Sequence, residues 1–300
     1  MQIIGHCRFS WLGISDTGRA LVTRDDAAAV LWSPQRMAVR FHLFETLLLP
    51  CLRAQTDQDF RFLLTTSAAM PQMYFDRLAS LTQGLPNVEI YVTQKDEIGS
   101  ALRPVMRASI EAGPKPVHFR LDDDDGVCVT FVERLRAVCA AHDLSVGTTI
   151  CFPSGVLGTY DGEKVINAPS FRPYHSVGLA FVVGPEYRRN PFQVQHLRVG
   201  ENLPSYLDPS FCAYHYTRHS ANNTSGYGED PQSMKANKAA VDRLRRNHPD
   251  LAAGHATTAG LDDTINAAFP FTTAENLRTD LARHAQYNAL AEEMGFLGRS

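Results

Sequence analysis

Four consecutive aspartates, Asp122–Asp125, are the residues whose type and spacing most directly predict chemistry in this sequence. They follow the strand-like run Pro116–Leu121 and precede the non-polar run Gly126–Val129. Adjacent carboxylates repel one another, so a fold usually exposes them to solvent or neutralises them with a cation. Clustered carboxylate oxygens suit Mg²⁺ or Mn²⁺. The sequence therefore predicts a divalent-metal site, with a solvated acidic turn as the alternative.

The position of the aspartates after a strand indicates where such a site would lie. Side chains alternate along a strand, so Asp122 and Asp124 should point one way and Asp123 and Asp125 the other. Two of the four are therefore expected to reach the ion. In an open α/β sheet, ligands bind in the crevice at the carboxyl ends of the strands. We expect the site at that edge.

The elements before the aspartates alternate between strand and helix. Hydrophobic periodicity and turn residues predict strands over 3–11, 60–65, 88–92 and 116–121, and helices over 34–53, 73–82 and 98–112. A further helix over 130–142 has Thr130 and Glu133 at capping-box spacing. The second half predicts short strands over 145–153, 158–166, 176–184 and 211–216, followed by a mostly helical tail from 235 onward. This order predicts an α/β enzyme.

Bulk properties narrow the class of protein. The 300 residues are 44% hydrophobic and 20% charged, with a net charge of −3, so the chain can bury a core and lacks the basic excess of nucleic-acid binders. No run of 18 apolar residues and no signal-like N-terminus occurs, and we expect a cytoplasmic protein without a transmembrane segment. Peripheral membrane contact through Arg243, Arg245 and Arg246 stays open, with a solvated helix face as the alternative. The six scattered cysteines predict reduced thiols.

A family resemblance enters at the aspartates. The run PVHFRLDDDDG resembles the Asp-x-Asp strand of GT-A glycosyltransferases of the family 2 type, with Asp122 and Asp124 as the pair and Asp125 as the following Asp. The helix and turn from Arg40 to Phe60 are similar to those of bacterial proteins described as putative rhamnosyltransferases. Arg8-Phe9 matches them as well, and His219 with Asn222 matches loosely. The likeness covers about residues 1–230.

The resemblance implies a GT-A fold, in which a central, mostly parallel sheet is flanked by helices. It implies a glycosyltransferase domain over 1–230, with a nucleotide-sugar half over 1–125 and an acceptor half over 126–230, before a helical extension over 231–300. Donor contacts are expected from Arg8, Arg40, Arg120, Asp122 and Asp123. The expected cofactor is Mn²⁺ or Mg²⁺, and the expected metal ligands are Asp122, Asp124, Asp125 and His219.

The expected reaction moves a sugar, by family likeness rhamnose, from a nucleoside-diphosphate sugar to a glycan or lipid-linked acceptor. An inverting enzyme needs a general base near the acceptor hydroxyl. The candidates are Glu201, Asp208 and His196, which lie between the later strands and His219. Two other functions stay open. One is a metal-dependent nucleotidyltransferase or phosphohydrolase, and the other is a non-catalytic carbohydrate- or calcium-binding module.

Overall fold

The computed structural model describes residues 1–13, 23–219 and 231–298. The strands, in chain order, are β1 Ile3–Arg8, β2 Arg61–Ser67, β3 Val88–Thr93, β4 Val117–Arg120, β5 Gly126–Val127, β6 Thr149–Cys151, β7 Ser154–Tyr160, β8 Val165–Phe171, β9 Ala180–Val182, β10 Ser205–Leu207 and β11 Tyr214–Arg218. The α-helices are α1 Arg24–Leu31, α2 Pro34–Leu43, α3 Leu49–Arg53, α4 Gln72–Thr82, α5 Ile98–Ala112, α6 Phe131–Ala141, α7 Val199–Asn202, α8 Pro231–Asn247, α9 Pro249–Ala252, α10 Leu261–Ala268, α11 Ala274–Ala282 and α12 Tyr287–Glu293. The α/β class, with a mixed, mostly parallel sheet flanked by helices, is confirmed.

The larger sheet has the strand order β10-β6-β9-β4-β1-β2-β3. β1 pairs in parallel with both β2 and β4, whereas β9 runs antiparallel to β4 and β6. The chain therefore builds outward from β1 to β3 and then returns to the other side of β1 with β4. The carboxyl ends of β1 and β4 consequently flank a topological switch point, the place where open α/β sheets bind ligands.

The smaller sheet has the order β5-β11-β7-β8 and corrects one strand prediction. Residues 158–166 were expected to form one strand, but β7 and β8 are the two arms of an antiparallel hairpin that turns within that stretch. Asp161 makes the turn, because its Oδ1 accepts hydrogen bonds from the backbone N–H groups of Glu163 and Lys164. The strand prediction was wrong because this turn was not recognised.

The helix expected over 34–53 is present but is not uniform. A π-helical segment, Phe44–Leu48, joins α2 to α3. Leu47 of that segment packs closely on Gly126, where an added Cβ would lie 2.7 Å from Leu47 Cδ1. The π-helical segment between α2 and α3 therefore packs directly on Gly126, the residue that follows the aspartates. The close approach is possible because glycine has no Cβ.

The helical tail was correctly expected and packs on α2. Leu281, Leu290 and Ala291 of the tail form one buried cluster with Val39 and Leu43 of α2. The tail thus supports the helix that carries Arg36 and Arg40. The domain boundary near residue 230 stays a prediction.

The capping box expected at the start of α6 is absent, which corrects that prediction. The Thr130 side chain makes no cap hydrogen bond. Glu133 instead accepts a hydrogen bond of 2.6 Å from Thr56 Oγ1, so a tertiary partner replaces the local one.

The cysteines of the described residues are free, as expected. Among the helices that the structure describes, none is both long enough and apolar enough to span a membrane.

Candidate active site

The four aspartates lie at the switch point of the larger sheet. Arg8 is the last residue of β1, and Asp122 follows β4 by two residues. Because β1 and β4 are parallel neighbours, Arg8 and Asp122 come to the same edge of the sheet. The predicted position of the acidic run is therefore confirmed.

The aspartate turn is fixed by β11 of the smaller sheet. Thr217 Oγ1 donates to the Asp124 carbonyl at 2.6 Å, and the Thr217 backbone N–H donates to Asp125 Oδ1 at 2.9 Å. Within the turn, Asp125 N–H donates to the Asp122 carbonyl at 3.3 Å. These bonds hold the backbone in one conformation without consuming the side chains of Asp122 and Asp124.

Two arginines neutralise three of the aspartates. The Arg40 guanidinium forms a fork on Asp123, with Nε 3.0 Å from Oδ2, and its Nη1 lies 2.5 Å from Asp124 Oδ2. Arg120 Nη2 contacts both oxygens of Asp122, at 3.1 and 3.3 Å. Paired carboxylates of this kind tolerate burial, which explains how the fold keeps the acidic run at its centre.

The aspartates border a small space that we call the aspartate cavity. It is lined by four arginines, three aspartates and several polar or aromatic residues, notably Arg8, Arg36, Arg40, Arg120, Asp122, Asp124, Asp125, Ser10, Ser176, His196 and Tyr216. Its volume of about 180 Å³ is below the range of about 300–1,000 Å³ for pockets that hold a whole drug-sized ligand. The cavity can therefore hold a small charged group, but it is too small for a whole drug-sized ligand.

The pKa values of the three carboxyl groups in the cavity lining are shifted in different directions because their surroundings differ. Although burial opposes ionisation, Arg120 and Arg8 lower the pKa of Asp122. Burial opposes ionisation of Asp124 too, but Arg40 and the hydrogen bond to His219 hold its pKa well below the usual value. Burial and the charges of Asp124 and Asp122 raise the pKa of Asp125 well above its usual value. Asp122 and Asp124 are thus the anionic groups of the cavity lining.

Asp123 takes no part in that lining, although we expected it to contact the donor. Its side chain is fully buried and binds Arg40. Arg8, Arg40, Arg120 and Asp122, the other expected donor contacts, all line the cavity. Asp123 therefore acts on the cavity through Arg40.

The structure separates the three candidate bases. His196 lines the cavity. Glu201 lies on the exposed surface and pairs with Arg198 at 2.9 Å. Asp208 accepts from the Ser210 backbone N–H and does not line the cavity. The structure thus brings one of the three to the aspartates.

The His196 ring is held in one tautomer. Its Nδ1 lies 3.0 Å from the Tyr174 carbonyl oxygen, and since a carbonyl can only accept, Nδ1 carries the proton. Burial lowers the pKa of His196, so the ring is neutral near pH 7. Its Nε2 then has a free lone pair and can accept a proton.

His219 lies at the end of β11 and contacts the acidic run directly. It is fully buried, with Nε2 3.1 Å from Asp124 Oδ2, and burial lowers its pKa. Asn222, the other residue of the expected late motif, lies outside the described residues.

Sequence reasoning missed three residues that shape the cavity. Arg36 donates to Ser10 Oγ at 3.0 Å and to the Leu31 carbonyl at 2.8 Å. Ser10 itself has a φ of 44°, an uncommon left-handed conformation for a residue other than glycine. Phe192 lies under both the Arg8 and Arg120 guanidinium groups, 4.5 and 5.0 Å from its ring centroid. Arg36 had a signal in the sequence, since it is one helical turn before Arg40.

The geometry of the aspartate cavity limits how a metal ion could be bound there. Within the part of the chain that the structure describes, no three His, Cys, Asp or Glu side chains are arranged to bind a metal by themselves. Mg²⁺ commonly binds through one or two carboxylates plus substrate phosphates and waters, at about 2.1 Å from each ligand. Asp122 and Asp124 supply two such carboxylates in the cavity lining. The 3.1 Å contact between Asp124 Oδ2 and His219 Nε2 is a hydrogen bond donated by the ring nitrogen, so His219 can bind a cation only if this bond is given up.

One solved structure similar to this chain is S. aureus TarS, residues 1–349, in complex with UDP-GlcNAc. The two sequences are 12% identical and the TM-score is 0.39. The match covers 98% of this chain and 91% of that chain. Another S. aureus TarS structure has 12% identity and a TM-score of 0.38, and 97% of this chain matches 50% of that one. The chain therefore spans half the length of that relative. A nucleotide-diphospho-sugar transferase described as putative, from Desulfovibrio desulfuricans G20, has 10% identity, 82% and 98% coverage and a TM-score of 0.35.

No curated protein matches the sequence. The family model described as "putative rhamnosyl transferase" matches residues 2–228, which is about three quarters of the chain and includes β1, the aspartates and β11. The chain therefore belongs to this glycosyltransferase family.

Proposed function

We propose that this protein transfers a sugar from a nucleoside-diphosphate sugar to an acceptor hydroxyl. The observation that carries the proposal is the aspartate cavity, where Asp122 and Asp124 face the same small space as Arg8 and Arg120 at the switch point of the sheet. A diphosphate can bind both the arginines and the aspartates of this cavity. Guanidinium forks bind its oxygens directly, and carboxylates bind it through a shared cation.

Mg²⁺ or Mn²⁺ is proposed on Asp122 and Asp124, with His219 as a further ligand once its hydrogen bond to Asp124 is given up. Asp125, which we expected as a ligand, is a weaker candidate because its raised pKa favours the protonated form. When bound, the cation would stabilise the negative charge that develops on the departing diphosphate.

The arginines of the cavity would stabilise the same negative charge on the departing diphosphate. Arg8 and Arg120 line the cavity and are both held over the Phe192 ring. Donors oriented in advance toward a developing charge need little reorganisation during the reaction, and such groups commonly contribute the largest part of catalysis. Arg40 is already bound to Asp123 and Asp124, so it positions the aspartates, and Arg120 also helps to do so because its Nη2 contacts Asp122.

His196 is the proposed general base for transfer with inversion. Its Nε2 is free to remove the acceptor proton as the oxygen attacks the sugar, and Tyr174 holds the ring through Nδ1. Glu201 and Asp208 would need to move to reach the cavity.

Rhamnose is the proposed sugar, on the description of the family alone. The proposed acceptor is a glycan or a lipid-linked saccharide. The decisive experiment incubates the protein with Mn²⁺, a mixture of glycan acceptors and a panel of nucleoside-diphosphate sugars that includes rhamnose donors, and identifies the products by mass spectrometry.

Release of a nucleoside diphosphate together with a glycosylated product is expected, because the bond that breaks joins the sugar to the diphosphate. Release of a nucleoside monophosphate would contradict the proposal, since it would show cleavage within the diphosphate by a nucleotidyltransferase or phosphohydrolase.

A further inference from the structure

A second concave surface lies along α5, and we call it the arginine groove. It is lined by Arg103, Arg107, Arg188, Arg189 and Glu111 and has a volume of about 620 Å³. Four guanidinium groups face one carboxylate in this lining, although the whole chain has a net charge of −3. The basic charge is therefore concentrated locally.

The groove arginines have donors to spare. Among the described residues, Arg103 and Arg189 make no hydrogen bond or ion pair. Arg188 uses Nε on the Pro185 carbonyl at 2.9 Å, which leaves its terminal nitrogens available. Arg107 pairs with Glu111 one helical turn away, and both side chains are largely exposed, so this pair is weak. An incoming anion would not have to break a strong interaction.

Beneath the arginines the groove has an apolar floor. Met106 is buried and Ile110 packs against the same buried cluster as Phe181 and Val183. The arginines of the groove are exposed above this floor, and their planar forks match the oxygens of a phosphate group. A volume within the usual range for ligand pockets allows more than an isolated ion to enter.

One turn separates the arginine groove from the aspartate cavity. In the 3-10 turn Pro191–Gln193, Phe192 lies under Arg8 and Arg120 of the cavity, while the adjacent Gln193 lines the groove. Buried Asn190 fixes this turn to α5, because its Nδ2 donates to the Ile98 carbonyl at 3.3 Å. A molecule in the groove is thus held beside the cavity.

We propose that the arginine groove binds phosphate groups of the acceptor, so that the acceptor is a phosphate-bearing saccharide. This assignment rests on the proposed glycosyl transfer and adds to it the class of acceptor. Unlike the aspartate cavity, the groove has one carboxylate among four arginines and binds its anion without a divalent cation.

The test is calorimetric titration with inorganic pyrophosphate in EDTA, comparing the natural protein with Arg103→Gln/Arg189→Gln. The matched control, Arg243→Gln/Arg246→Gln, removes the same charge from exposed positions of α8. The groove variant should bind pyrophosphate at least about 10-fold more weakly at one site, whereas the control should change by less than about 2-fold, since specific phosphate forks and not net charge are lost. Unchanged binding by the groove variant, or an equal loss in the control, overturns the proposal.

Two further measurements separate the possible failures. Co-sedimentation with phosphatidylglycerol vesicles tests a membrane surface as the partner, and vesicle binding lost only in the groove variant with pyrophosphate binding retained would overturn the proposal. Nucleoside-diphosphate binding with Mn²⁺ should be the same in the natural protein and the groove variant. If the natural protein does not bind the nucleoside diphosphate, the proposed function fails, whereas the pyrophosphate titration judges the groove separately.

Discussion

The aspartate cavity and the arginine groove both contain four arginines but differ in how these are paired. In the cavity, Arg36 and Arg40 are each 6% exposed, and Arg40 is bound to Asp123 and Asp124. In the groove the arginines are exposed, and Arg103 and Arg189 have no ion-pair partner among the described residues. Arginines already paired with carboxylates suit the proposed binding of an anion together with a cation. Arginines without such partners suit the binding of an anion alone.

The largest expected effect comes from the aspartate cavity. Asp124→Asn keeps the volume of the side chain, and Arg40 retains Asp123, but the variant loses the central carboxylate of the cavity. We expect kcat/KM for the donor to fall by about 10²–10³-fold, which is the usual cost of one preorganised charge-stabilising group. Steady-state kinetics measure it.

Asp143→Asn is the matched control, because Asp143 is exposed and pairs with Lys115, which lies before β4 while the aspartates follow that strand. It should keep the natural rate. Equal rates in Asp124→Asn and Asp143→Asn would show that the cavity carboxylates are structural.

The base in the cavity lining is tested by His196→Gln. Gln retains a donor for the Tyr174 carbonyl but cannot accept a proton near pH 7. The expected loss in kcat is about 10²-fold, at the lower end of general-base contributions, with donor affinity unchanged. A natural kcat in this variant, combined with a large loss in Glu201→Gln or Asp208→Asn, would move the base outside the cavity lining.

His219→Ala is expected to have a smaller effect. Loss of its contact with Asp124 should weaken donor binding or turnover by about 10-fold, equivalent to ~1.4 kcal/mol. Because His219 is fully buried, the melting temperature should also fall. Kinetics corrected for the folded fraction separate the two effects. A lowered melting temperature with normal kinetics would leave His219 a purely structural role.

The smallest expected effect is a difference between the groove and the cavity in how strongly salt weakens ligand binding. Exposed charges are screened strongly, since the Debye length falls from about 10 Å at ~0.1 M salt to about 3 Å at ~1 M. Pyrophosphate binding to the groove should therefore weaken several-fold over this range, and nucleoside-diphosphate binding to the buried cavity should weaken less. Calorimetry at two salt concentrations measures both losses. A larger loss of binding at the cavity than at the groove would contradict the claim that the arginines are more fully paired in the cavity than in the groove.

Much of the fold could be predicted from local sequence. Helix α5 begins and ends at the predicted residues, 98 and 112, because its apolar residues recur at helical spacing and Gly113-Pro114 ends it. The hairpin of β7 and β8 was missed because the Asp161-Gly162 turn signal was overlooked, although Gly162 has a φ of 110° and Asp161 accepts two hydrogen bonds within the turn. The Glu133 contact with Thr56 spans 77 residues and overrode the local capping pattern.

The site could be predicted in its residue types but not in its pairing. The acidic run, Arg8 and Arg120 were found from residue type, strand position and family likeness. The Arg40–Asp123 contact joins residues 83 positions apart, and no local pattern indicates which aspartate it binds. The arginine groove was not predicted at all, because its lining comes from α5 and from a loop about 80 residues later. Charge at a surface follows from tertiary structure, and a count of net charge conceals it.

The cation requirement of donor binding tests the central claim most directly. Thermal unfolding of the natural protein is measured with a nucleoside diphosphate in Mn²⁺ and again in EDTA. At ~100 times the dissociation constant, binding should stabilise the native state by about 2.7 kcal/mol in Mn²⁺, seen as a higher melting temperature, with no comparable rise in EDTA. An equal rise in EDTA would contradict a cation shared between the aspartates and the diphosphate.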